Sequence, residues 1–238
     1  MFRDGQRRHS LPVGLSWVCT VEAPLTPRAP LDVAIKRGID LAFALSAALM
    51  LSPLLLLLAV ATLFADGRPI FHRQMRVGRH DVPFRLSKIR TMREAFGQDG
   101  EPLPDDRRVT SLGRYLRRYR LDELPGFFLI VRGSMSMVGP RPLPLHVLAT
   151  MAGSSMRRAV RPGITGLAQI SGNTLLSNRE KLAIDLHYVR HWSNLSDLII
   201  ITKTIETLVR GELRDEVLIR RALNEYTVVE QNAISEAG

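Results

Sequence analysis

From Ile39 to Phe64 stand 26 residues of which only Asp40 is charged, and no other segment limits the fold as strongly. The run exceeds the roughly 20 residues that a helix needs to cross a hydrocarbon core. Yet Ser52-Pro53 stands at its centre, in "ALMLSPLLLLLAV". A proline inside a helix removes one backbone hydrogen bond and crowds the preceding turn, at a cost of about 3 kcal/mol. The two arms on either side are each about 20 Å long at 1.5 Å per residue, short of a core about 30 Å thick. Both flanks are also basic: Lys36 and Arg37 precede the run, and Arg68, Arg73, Arg76 and Arg79 follow it. Lys/Arg-rich flanks belong on the cytoplasmic side, and here both ends qualify. A hairpin of two half-helices entering one leaflet satisfies these rules, with the Ser52 hydroxyl helping to satisfy carbonyls freed by the proline. A straight span and a buried core helix remain open on residues alone.

The rest of the chain is basic. It holds 33 Lys+Arg against 23 Asp+Glu in 238 residues, a net charge of +10, which points to an anionic partner: nucleic acid, acidic headgroups or phosphate-bearing substrates. A single cysteine, Cys19, excludes an intramolecular disulfide and a thiolate metal cluster, and fits a chain facing the cell interior. Residues 1–30 lack periodicity and read as a mobile arm, and no signal-peptide pattern is present. The chain divides into an apolar helix over residues 31–66, expected to be a re-entrant membrane helix, a body over 67–211, which the chemistry and resemblance given below make a catalytic domain on the cytoplasmic face, and a helical cap and tail over 212–238.

Short β-like pieces, "PIFHRQ" and "VPFRLSKIR", suggest a small ribbon whose basic residues meet lipid headgroups. "TSLGRYLRRYR" has the pattern of a helix lying on a surface, with Leu112, Leu116 and Tyr119 at helical spacing among arginines. "REKLAIDLHYVRHW" and "LSDLIIITKTIETLVRG" read as amphipathic helices. The fold class expected is α+β and mainly helical, with surface helices and a β-ribbon, and the resemblance given below makes it a monotopic membrane protein with one re-entrant helix.

Chemistry centres on Asp122-Glu123, just before Pro125, a residue favoured at the first position of a helix. Carboxylates at a helix N-terminus are held ionised by its dipole. One can attack an electrophile and its neighbour can hold Mg²⁺ through oxygen. Arginines crowd around the pair, and guanidinium groups pair bidentately with phosphate oxygens. Glycines 133, 139, 163, 166 and 172 supply turns whose N–H groups could approach an anion. Neither a GxxxxGK[ST] loop nor a GxGxxG motif occurs. His187 and His191 stand at i, i+4 without the HExxH glutamate and read as interfacial or core residues.

Seven stretches carry a resemblance: "KRGIDLAFALSAALMLSPLLLL", "RPIFHRQMRVG", "PFRLSKIRTM", "RRVTSLGRYLRRYRLDELP", "GSMSMVGPRP", "RPGITGLAQISG" and "IDLHYVRHWSNLSDLII". In order and spacing they resemble the motifs of the bacterial monotopic phosphoglycosyl transferases over residues 32 to 211, in the short, core-only form. The resemblance implies transfer of a sugar 1-phosphate, here a hexose 1-phosphate, from a UDP-sugar to polyprenyl (undecaprenyl) phosphate, the first step of exopolysaccharide assembly. It implies that Ser52-Pro53 breaks a re-entrant helix, and that the enzyme sits at the cytoplasmic face of the inner membrane. Asp122 would attack the β-phosphate and release UMP, and Glu123 would hold Mg²⁺. Lys88, Arg117, Arg141 and Asp197 fall at further active-site positions, Asp197 being equally readable as a helix cap. Membrane lipids, a second copy of the chain and other assembly enzymes are the implied partners, and nucleic acid is not among them. Gly126, Leu129 and Ser134 replace polar residues common in the family. They support a competing expectation: a catalytically weakened, membrane-anchored docking protein.

Overall fold

The computed structural model describes residues 28–97, 100–101, 103–149 and 154–236. The arm expected over residues 1–30 lies outside these except for its last three residues.

Helix α1 (Pro30–Asp66) starts on a proline, which supplies a preset φ and needs no donor at that position, and stops at Gly67 with φ 71°. It is helical throughout, so Pro53 does not divide it into the two half-helices expected. Lacking an N–H, Pro53 leaves the carbonyl four residues back without its donor. The Ser52 hydroxyl donates to that carbonyl, Leu49 O, at 2.9 Å. The middle of α1 is bare: Leu49, Met50, Leu56 and Leu57 are all exposed. Its two ends are not. Asp40 and Ala44 are buried near one end, Leu58 and Thr62 near the other.

An antiparallel ribbon follows, β1 (Phe71–Val77) and β2 (Pro83–Ile89), with His72 opposite Lys88. Next come α2 (Asp105–Arg108), α3 (Ser111–Arg118), α4 (Gly126–Val131), β3 (Ser136–Val138), α5 (Leu145–Ala149), β4 (Gly163–Thr165) and α6 (Leu167–Ile170). Three longer helices close the chain: α7 (Asn178–His191), α8 (Asn194–Arg210) and α9 (Glu216–Glu236). Ser177 and Ser193 start α7 and α8 with reciprocal capping boxes.

Strands β3 and β4 pair in parallel. A Cβ on Gly163 would stand 2.2 Å from Gly139 N, and one on Gly139 2.4 Å from Arg161 O. These glycines therefore let two backbones touch rather than cradle an anion. Their N–H groups are engaged within the protein, Gly139 with Thr165 O and Gly163 with Pro140 O.

The core has three parts. Ala44 of α1, Phe84, Ile130, Val138, Tyr188 and Trp192 share the first. Leu58 of α1, Ile89 and Leu116 form another, and α7 packs on α9 through Leu182, Ile184, Ile219 and Ala222. The cations that precede the apolar run of α1 turn inward. Arg37 donates to the carbonyls of Ile130 and Val131 at the C-terminal end of α4, where a cation is favoured, and Lys36 pairs with Asp197.

Candidate active site

Asp122 and Glu123 sit in a 3₁₀ turn, Leu121–Glu123, rather than in the first turn of the following helix. Pro125 caps α4 from outside, so the helix dipole is not what holds the pair. Arg120 sets up the turn in the left-handed region, φ 54°, and its guanidinium donates to Glu212.

Two cations converge on one oxygen of Glu123. Lys88 Nζ from β2 and Arg141 Nη2 from the turn after β3 both donate to Oε1 at 2.6 Å. Lys88 also stands 4.0 Å from Asp122 Oδ2. Arg141 is held in turn: Arg157 donates to its carbonyl at 3.0 Å and pairs at 2.6 Å with Asp185, which is buried in α7.

The electrostatic consequence separates two adjacent carboxyls. Burial alone would push Glu123 up, but Arg141 and Lys88 outweigh it and hold the group at a pKa of about 2. Asp122 goes the other way, raised chiefly by burial against a weaker pull from Lys88, with the negative charge of Glu123 adding to the rise. The surroundings therefore favour the ionised form of Glu123 and disfavour that of Asp122. Asp122 is the more basic of the two, which is the property a carboxylate nucleophile needs.

Both line a cavity of about 1180 Å³ with twelve Lys/Arg side chains against six Asp/Glu on its walls. Basic residues of the ribbon, assigned to headgroups from sequence, help form it: Arg73, Arg76 and Arg90. Such a wall suits a polyanion. Of the expected residues, Lys88, Arg117 and Arg141 meet Asp122 and Glu123 here; Arg117 is oriented by its Nε hydrogen bond to Thr91 Oγ1, 2.9 Å. Asp197 does not line the cavity. It is buried, bonded to Lys36 and to Tyr188 Oη at 2.9 Å, and its carboxylate does not serve as the cap, a role taken by Ser193.

Sequence reasoning missed Arg76, Arg157, Asp185 and Gln169. Gln169 is buried with Oε1 unpartnered at the cavity wall while its amide nitrogen donates to Ile164 O. Gln169, Arg76 and Asp185 lie in "RPGITGLAQISG", "RPIFHRQMRVG" and "IDLHYVRHWSNLSDLII", a signal that position in a motif offered; Arg157 lies in none of the seven stretches.

Comparison with known proteins identifies the family. The family model described as bacterial sugar transferase matches residues 31–211. An uncharacterized sugar transferase, EpsL, of Bacillus subtilis is 37% identical across 75% of this chain and 89% of its own length. The exopolysaccharide production protein ExoY of Sinorhizobium fredii is 40% identical across 74% of this chain and 86% of its own length. The UDP-glucose:undecaprenyl-phosphate glucose-1-phosphate transferase of Escherichia coli is 35% identical across 76% of this chain and 41% of its own length. With a family model covering residues 31–211 and relatives of this identity, the chain belongs to the bacterial sugar transferases and is a phosphoglycosyl transferase.

Proposed function

We propose that this chain moves a hexose 1-phosphate from a UDP-sugar to undecaprenyl phosphate at the cytoplasmic face of the inner membrane, by way of a covalent intermediate on Asp122. The observation that carries this is the divergence of the two carboxyls: Glu123 fixed as an anion by Lys88 and Arg141, and Asp122 left more basic beside it on a cationic cavity. Relatives named for glucose 1-phosphate and for N-acetylgalactosamine phosphate transfer to undecaprenyl phosphate support the hexose class and the acceptor.

An oxygen of the Asp122 carboxylate attacks the β-phosphorus of the nucleotide sugar, and the bond from that phosphorus to the bridging oxygen breaks. UMP leaves with the electron pair. A phosphate oxygen of the lipid then attacks the same phosphorus, and the aspartate is freed. Arg117 and Arg141 orient the diphosphate, and Lys88 offsets charge gathering beside Asp122.

The residues also fit Mg²⁺. Glu123 stays charged at any working pH, and it and Asp122 are hard oxygen donors on the cavity wall. When bound there, the ion would neutralise phosphate charge. Glu123 is its proposed holder.

A re-entrant α1 is supported by where its ends dock. Asp40 accepts from Ser136 Oγ and from the Met137 N–H, while Asp66 at the other end accepts from Thr110 and Arg93. One globular body thus holds both ends, and the apolar middle between them is exposed. A helix crossing the bilayer would have to separate them.

Gly126 and Leu129 have packing reasons that weaken the docking-protein alternative. A Cβ on Gly126 would press Ile164 at 3.0 Å, and Leu129 packs against the core.

The test is UMP release from UDP-hexoses without lipid acceptor. A burst no larger than the enzyme concentration is expected. No UMP until acceptor is added, with intersecting initial-rate lines, favours direct transfer; none under any condition favours the docking protein. For topology, Ser52 and Pro53 are both replaced by leucine, and the single cysteine, Cys19, is probed with an impermeant reagent in intact cells. Native protein should stay unlabelled and the variant become labelled; labelling of native protein defeats the re-entrant placement of α1.

A further inference from the structure

On the face of α7 opposite the cavity chemistry, the two histidines that lacked a third ligand in the sequence acquire one from α9. His187 and His191 lie one turn apart, as i, i+4 residues on one helix face must. Their rings stand 4.6 Å apart between centroids. Glu225 comes from α9, 38 positions after His187, and brings Oε2 to 2.7 Å from His187 Nδ1 and 3.3 Å from His191 Nε2. The three ligand atoms all lie within 4.8 Å of one another. In a tetrahedral zinc site with bonds of about 2.0–2.2 Å, ligand atoms stand roughly 3.3–3.5 Å apart, so small side-chain rotations are enough.

We propose that His187, His191 and Glu225 bind a divalent transition-metal ion, with zinc the best match, which clamps α9 onto α7. Two imidazoles and one carboxylate select a borderline cation such as Zn²⁺ over the hard Mg²⁺ assigned to the catalytic pair. Three protein ligands leave a fourth position for water, and His191, whose side chain is 54% exposed, opens that position to solvent. The other carboxylate oxygen, Glu225 Oε1, stands 3.5 Å from Arg221 Nε, an outer contact of the kind that orients a ligating carboxylate. The clamp would not be remote in effect. Asp185, which holds Arg157 and through it the Arg141 loop, lies two residues before His187 on the same helix.

The test uses untagged full-length protein in nanodiscs, stripped with EDTA and dialysed free of it. Zinc is titrated against a chromophoric chelator, and cobalt is added in parallel for its visible d–d absorption. Native protein should bind one zinc per chain at micromolar concentrations or tighter. His191→Ala and Glu225→Gln should each bind at least about tenfold more weakly and lose the cobalt bands. Zinc should raise the melting temperature of native protein and not of the variants. Because His191 is largely exposed, its alanine variant should keep the native circular dichroism and metal-free melting point, which separates lost ligation from lost folding. Absence of saturable zinc binding in native protein, or equal zinc affinity in native and both variants, would overturn the site and leave a plain hydrogen-bonded clasp.

Discussion

Two lysines in this protein each hold a carboxylate, with opposite consequences. Lys88 pairs with Glu123 beside Asp122, and Lys36 pairs with Asp197 not far from Asp40. At the first centre the lysine and glutamate side chains keep 24% and 16% of their exposure and look into the cavity. At the second the values fall to 14% and 5%, and the remaining polar atoms are used internally: Tyr188 Oη donates to Asp197, and Lys36 also donates to Val138 O. The chemistry of the side chains is nearly the same. What distinguishes them is whether a phosphate can reach the pair, so the open one is the proposed reaction site and the closed one a fastening between α1, β3 and α8.

Substitutions should pull the two centres apart, and the largest effect is expected at Asp122. Asp122→Asn should lower UMP release by about 10³-fold or more, since an amide is no nucleophile. Its stability should not fall. A carboxyl whose folded pKa is raised contributes stability below its unfolded pKa and loses it as pH climbs through the folded one, so at neutral pH the charge is a burden that asparagine removes. A variant that turns over substrate normally would place the nucleophile elsewhere.

Asp197→Ala should do the reverse, costing about 3–5 kcal/mol of stability because Lys36 is left charged without its partner. Thermal unfolding in nanodiscs measures this. If the folded fraction has lost turnover while the melting point is unchanged, Asp197 belongs to the reaction after all. Glu123→Gln should give a smaller fall in rate than Asp122→Asn and raise the Mg²⁺ concentration needed for half-maximal activity; an unmoved Mg²⁺ titration would argue against Glu123 as the ion's holder.

The mildest test is pH. As pH falls through the raised pKa of Asp122, the rate should drop about tenfold per unit, because only the ionised form attacks. Glu123, with a pKa of about 2, stays ionised in that window. A limiting slope of two would mean that both carboxyls titrate together.

The open centre was the more legible of the two. Asp122 and Glu123 are adjacent, and Lys88, Arg117 and Arg141 sit in motifs dense with cations. The ribbon, α3, α7 and α8 also follow from local periodicity. The closed centre was not legible, since its bonds join residues 161 positions apart, Lys36 to Asp197, and 97 apart, Asp40 to Met137. A lysine beside an apolar run looks the same whether it meets a headgroup or a buried aspartate. Position within a motif placed Asp197 at the reaction, and only packing moved it. The glycines misled for a related reason: a backbone needing φ > 0 and one touched by another strand both leave glycine in the sequence.

The fastening of α1 has a consequence for how the protein is made. Helix α1 leaves the ribosome long before its sockets exist, because Ser136 and Met137, which cover Asp40, are synthesised 96 and 97 residues later. At 5–20 residues per second that interval is about 5–20 s. Throughout it the nascent helix carries a bare aspartate at the edge of an apolar segment, with Lys36 and Arg37 the cations nearest to it in sequence. Docking of α1 therefore waits on the synthesis of β3, and until then Asp40 lacks the partners that bury it.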